Sequence, residues 1–101
     1  MKKRRRLAGA LKVDERAKPR CFRDFRGRGP LIETCLDSIK RTTSLVVETG
    51  MPWRDAVDRV SRDCMKIKAL NDQTACITGA TEVLMKSVGY PQSLEGRKRR
   101  K

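Results

Sequence analysis

There is no histidine anywhere in the 101 residues, and only four side chains are aromatic, Phe22, Phe25, Trp53 and Tyr90. The first absence removes the commonest general base and a frequent zinc ligand. Cysteine does not replace it. Cys21, Cys35, Cys64 and Cys76 are separated by thirteen, twenty-eight and eleven residues, so no C-x-x-C exists and the ligand spacings of structural zinc are missing. No glycine-rich phosphate loop is present, and a nucleophilic cysteine would have no activating partner. These gaps argue against an enzyme and predict no catalytic residue, no metal ligand and no cofactor. Long apolar runs are lacking too. "LAGALKV" after "MKKRRR" is too short and too soon charged for a signal-peptide core, and nothing approaches a spanning helix. The expectation is a cytoplasmic protein with no membrane partner, at the nucleoid of a bacterium, or in the nucleus if the source is eukaryotic or viral. In a reducing compartment the four cysteines would be free thiols, each serving as a small buried apolar residue.

What the chain has in excess is positive charge, +13 overall. Residues 1 to 30 hold twelve Lys/Arg against three Asp/Glu, residues 31 to 94 hold eight against eight, and residues 95 to 101 hold five against one. A neutral middle with cationic ends suits a folded body that offers basic extensions to a polyanion, since phosphate neutralisation with counterion release supplies sequence-independent affinity. Lys2, Lys3, Arg4, Arg5 and Arg6 at one end and Arg97, Lys98, Arg99, Arg100 and Lys101 at the other are the candidate contacts.

The organisation expected is a flexible basic arm over residues 1–29 followed by a helical DNA-binding domain over 30–101. Residues 1 to about 20 show no sustained periodicity, and "RCFRDFRGRG" reads as a short hairpin or a disordered recognition segment. Pro30 suits a first helical turn and Gly50 a left-handed C-terminus, which brackets a long helix with Ile32, Cys35, Leu36, Ile39, Thr43 and Val46 on one face. Pro52 restarts the helix, and Trp53, Val57, Val60, Cys64 and Ile67 follow the seam spacing of helix against helix. The two form a helical hairpin whose unmet apolar surface needs a third element or a second copy of the chain, and Ala75, Cys76, Val83, Leu84 and Val88 in the remaining segment supply the first of these. The fold class is therefore all-α.

The end of the chain, "GATEVLMKSVGYPQSLEGRKRRK", has two readings. Thr81 to Val88 favours a helix, Gly89 lets the backbone reverse, and Pro91 can open another helix with Gln92 and Ser93 in its first turn. That is a helix-turn-helix; the other reading is a helix cap followed by a basic tail.

"VETGMPWRDAVDRV" and "GATEVLMKSVGYPQSL" resemble the small DNA-binding proteins of the factor-for-inversion-stimulation (Fis) type. The turn pattern of that family is similar to G-N-x-x-x-A-A-x-x-L-G-I followed by a polar pair and T-L. Gly79 falls on the first glycine, Val88, Gly89 and Tyr90 on L-G-I, and Ser93 with Leu94 on T-L after a one-residue deletion. Ala80 stands in place of the asparagine, Leu84 and Met85 in place of the two alanines, and Gly96 inside the second helix. The resemblance implies a homodimer with Trp53, Val57, Val60 and Cys64 in its core, and Leu84, Val88 and Leu94 packing the turn. It also implies a DNA face of Tyr90, Gln92, Ser93, Arg97, Lys98, Arg99, Arg100 and Lys101. The function implied is a nucleoid-associated or transcriptional regulator that bends duplex DNA. The competing classes are an RNA-binding accessory protein that uses "RCFRDFRGRG" and both basic ends, and a nuclear interaction protein in which "KKRRR" and "RKRRK" are import signals.

Overall fold

The computed structural model describes the backbone of residues 2–89 and the side chains of residues 9–88. Among the described residues there are four α-helices and no strand: α1 (Lys2–Asp24), α2 (Gly29–Thr49), α3 (Trp53–Cys64) and α4 (Leu70–Lys86), closed by a 3-10 turn at Ser87–Gly89. The all-α expectation holds. Three short connections make each helix antiparallel to its neighbour in sequence, the up-down-up-down arrangement. The first and third connections lie at one pole. The start of α1 and the end of α4 lie at the other.

The segment expected to be a flexible arm is α1. Its buried stripe is Ala10, Val13, Ala17 and Cys21, each about a turn from the next and continued by Phe25 just past the helix end, and α1 packs on both α2 and α4. The stripe is built from small residues among many charges, so it adds little hydrophobic signal to the sequence. Pro19 lies inside the helix on the exposed side. An interior proline costs about 3 kcal/mol in an isolated helix, so α1 continues past it because Ala17 and Cys21 on either side are fully buried.

α2 matches its expected limits. Pro30 sits in its first turn, and Gly50 takes φ 76° with its N–H donating to the Val46 carbonyl at 3.1 Å. That φ is left-handed, a conformation glycine adopts without penalty. α3 begins at Trp53 as its seam suggests but stops at Cys64, short of Ile67.

The seam faces inward. Trp53, Val57, Val60 and Cys64 are buried within the single chain, against α4 and α2. α4 supplies the third apolar element with Ala75, Cys76, Ala80 and Val83, starting eleven residues before the Thr81 of the sequence reading. A second copy of the chain is not needed to cover the seam.

The cysteines are paired, which overturns the expectation of free thiols. Cys21 bonds Cys35 across the α1–α2 turn, and Cys64 bonds Cys76 across the α3–α4 turn. All four are buried, as expected of them. The pairing places one cysteine near the end of a helix and its partner near the start of the next, so each antiparallel hairpin is stapled close to its corner.

α2 packs most extensively on α4. Ser38 Oγ donates to the Cys76 carbonyl at 2.6 Å, and Gly79 lies against the Cys35 carbonyl and the Ser38 side chain. The Thr42 hydroxyl, also buried, donates to the Ser38 carbonyl one turn back, so these core polar groups are satisfied.

Candidate nucleic-acid interface

The positive charge belongs mainly to one helix. α1 carries ten Lys/Arg against three Asp/Glu, while α3 carries three of each, and α2 and α4 each have one more acid than base. Burying Ala10, Val13, Ala17 and Cys21 against the bundle leaves the opposite side of α1 to solvent. That side presents Lys12, Arg16, Lys18 and Arg23, continued by Arg26 in the following turn, with Glu15 as its one exposed acid before Asp24. From Lys12 to Arg23 the rise of an α-helix gives about 16 Å. The row is long enough to meet several phosphates, since each strand of a duplex places one at about every 3.4 Å of helix axis.

Lys12 and Arg26 have no carboxylate partner among the described residues, whereas Lys18 stands 3.8 Å from Asp14 and Arg23 stands 3.6 Å from Asp24. Arg20 turns inward instead. Its guanidinium reaches Glu82 of α4 at 2.9 Å and also binds Asp24 one turn on. The hydrogen bond from Arg20 is the main cause that holds the Asp24 carboxyl below its ordinary value, and the same bond raises Arg20. Glu82 is 5% exposed, and its other carboxylate oxygen is 3.4 Å from Lys86. Arg20 is thus a structural cation that ties α1 to α4, while its neighbours face outward.

Along the same face, Glu15, Lys18, Pro19, Phe22, Arg23 and Arg26 line an open groove of about 590 Å³. Phe22 is half exposed there, and Phe25, three residues on, is buried. The two aromatics of "RCFRDFRGRG" therefore have different roles.

Lys2, Lys3, Arg4, Arg5 and Arg6 lie in the first turns of α1, and their side chains fall outside the described residues. Tyr90, Gln92, Ser93, Leu94, Gly96, Arg97, Lys98, Arg99, Arg100 and Lys101 also fall outside, so the second helix of the expected helix-turn-helix is not described. Three residues of its first helix can be compared, and one of them, Leu84, assigned to turn packing, is partly buried against the core. Gly79, aligned with the opening glycine of the Fis-type pattern, is in the middle of α4, and Val88, assigned to turn packing, is 83% exposed. The sequence reading missed Lys12, Arg16 and Lys18 as a set with Arg23 and Arg26. Their helical spacing was the available signal, hidden because the segment was read as an arm.

No group of His, Cys, Asp and Glu among the described residues could hold a metal ion. No described helix is long and apolar enough to cross a membrane. Compared with protein-family models, with characterised proteins and with solved structures, the chain finds no match.

Proposed function

We propose that this chain binds nucleic acid, duplex DNA first and RNA second, by laying the outer face of α1 and the two basic ends along phosphates. The reading is one of binding rather than catalysis. It rests on the concentration of charge in α1, ten Lys/Arg against three Asp/Glu, beside three helices of nearly balanced charge. A balanced surface with cations only for solubility would spread them over all four helices. The up-down-up-down order adds support, because Lys2–Arg6 begin α1 at the pole where α4 ends, and Arg97–Lys101 follow α4 in sequence.

The helix-turn-helix of a dimeric regulator is the finer form of this proposal, with Gln92 and Ser93 near base edges and Arg97–Lys101 on phosphates. Its support is the sequence resemblance over "GATEVLMKSVGYPQSL" alone, and the seam that would have joined two copies is occupied within one chain. The α1 face requires neither.

A gel shift with a DNA duplex at two salt concentrations tests the proposal. With about six to ten phosphate contacts, affinity falls on the order of a thousandfold or more between about 50 and 200 mM salt. Charge reversal at Lys12, Arg16 and Arg26 should weaken binding for every duplex sequence alike. A flat salt response removes the reading.

One observation favours a second polyanion. Both hairpins are closed by disulfides, and disulfides persist in oxidising compartments, where sulfated glycans are the abundant polyanions. Competition between duplex DNA and heparin at equal charge concentration separates the two, and preferential displacement by heparin would assign the face to glycans and the chain to an oxidising compartment instead of the cytoplasm.

A further inference from the structure

Phosphate contacts leave one feature of the α1 face unused. The Phe22 ring is 52% exposed on the lining of a mainly cationic groove, although Phe25, three residues on, is 9% exposed, so the fold buries one of two neighbouring aromatics and leaves the other in water. Pro19, one turn before Phe22, extends the apolar floor, and a proline there presents no backbone N–H. Lys18, Arg23 and Arg26 stand around this floor, with Glu15 also on the lining. An apolar surface with three cations and one acid on its lining, of which Arg26 has no carboxylate partner among the described residues, matches a nucleotide: the base lies on the ring and its phosphate meets Arg26 first.

In a continuous duplex the base faces are covered by their neighbours, so the partner has to contain an unpaired nucleotide. The number of such platforms is limited. Phe25 and Trp53 are buried, and Phe22 is the one exposed aromatic among the described residues. A single platform cannot track a long single strand, which needs successive stacking rings. It can hold one base at the end of a duplex. We infer that the Phe22 groove takes an unpaired base beside a duplex held by the α1 cations, so the protein prefers duplex ends and junctions that carry single-stranded nucleotides. This deepens the nucleic-acid reading above and rests on it.

The test measures fluorescence anisotropy with a blunt DNA duplex and with the same duplex bearing a short oligothymidine overhang, at one fixed salt concentration. The wild-type chain should bind the overhang form roughly tenfold tighter, Phe22→Ala should abolish that preference without changing blunt affinity, and Phe22→Trp should restore it. Circular dichroism checks that the exposed substitution leaves the helices intact. Equal affinity of the wild type for both duplexes overturns the inference, as does a Phe22→Ala loss shared equally by both. In those outcomes salt-dependent duplex binding would leave the nucleic-acid reading standing; no binding to either duplex overturns both. Sedimentation with phosphatidylserine vesicles that depends on Phe22, without an effect on either oligonucleotide, would give the groove to a lipid surface and also overturn the inference.

Discussion

Gly79 of α4 rests directly on the backbone carbonyl of Cys35 in α2, with no room between them for a methyl group. Placing alanine in a helix interior normally stabilises by up to about 1 kcal/mol. Here the obstacle is a backbone oxygen, which cannot swing aside, so the helices would have to separate. Overpacking of this kind costs about 1 to 3 kcal/mol and outweighs the propensity gain. Gly79→Ala should therefore lower the thermal midpoint, whereas Gly9→Ala in α1, where a Cβ would meet nothing, should raise it slightly. Equal effects of the two substitutions would show that α2 and α4 do not approach as described.

Reduction should weaken the fold in two steps of similar size. The cysteine pairs are 14 and 12 residues apart, and loops of that length contribute about 3 kcal/mol each in the chain-entropy account. A domain of this size has about 5 to 15 kcal/mol in total. Losing one bond should leave a folded but less stable chain, and losing both should bring it near the threshold. Thermal melts of Cys21→Ala/Cys35→Ala, of Cys64→Ala/Cys76→Ala and of the fully reduced chain check this. Peptide mapping without reductant should recover Cys21 linked to Cys35 and Cys64 linked to Cys76.

The two cations that meet Glu82 should substitute for each other. Arg20→Ala leaves the buried carboxylate with Lys86, and Lys86→Ala leaves it with Arg20. Each single change should cost about 1 kcal/mol because both cations are partly exposed. Their combination strands a buried charge and should cost about 3 kcal/mol or more, a non-additive result. Urea unfolding of the two single variants and the double variant measures the coupling.

The hydrogen bond from Arg20 to Asp24 has a pH signature. It lowers the Asp24 carboxyl in the folded chain, so its contribution is complete above the unfolded value, near about pH 4, and is lost as the pH falls through the lower folded value. Asp24→Asn should be less stable than the wild type at neutral pH, and the difference should shrink progressively in acid. Melting curves from neutral pH down to about pH 2 follow it.

The limits of α2 and the start of α3 were legible because Pro30, Gly50 and Pro52 act locally, each through its own backbone dihedrals. Trp53, Val57, Val60 and Cys64 were legible as a buried stripe, but periodicity shows only that a face is covered, not whether the cover comes from the same chain. α1 was not legible. Its inward residues include Ala10, Ala17 and Cys21, which give a weak apolar period among so many arginines and lysines, and Pro19 interrupts the pattern. The disulfides were hidden for a different reason: their spacing acquires meaning only when each pair is seen to straddle a corner between helices. As for the interface, the charge excess at residues 1 to 30 was evident from composition. Its sorting into an inward Arg20 and an outward Lys12, Lys18 and Arg23 required the helix to be in place.

The disulfides join the first cysteine to the second and the third to the fourth, so the covalent network is two small rings strung in series. Each ring can close as soon as its own hairpin has formed, without waiting for the other half of the chain. Among the described residues, the main chain between Cys35 and Cys64 is the sole covalent thread between the rings. A single cut at the Gly50–Pro52 connection should release two separable peptides under denaturing, non-reducing conditions. A cut inside either ring, at Gly27 or between Met65 and Lys68, should leave one molecule of nearly unchanged mass.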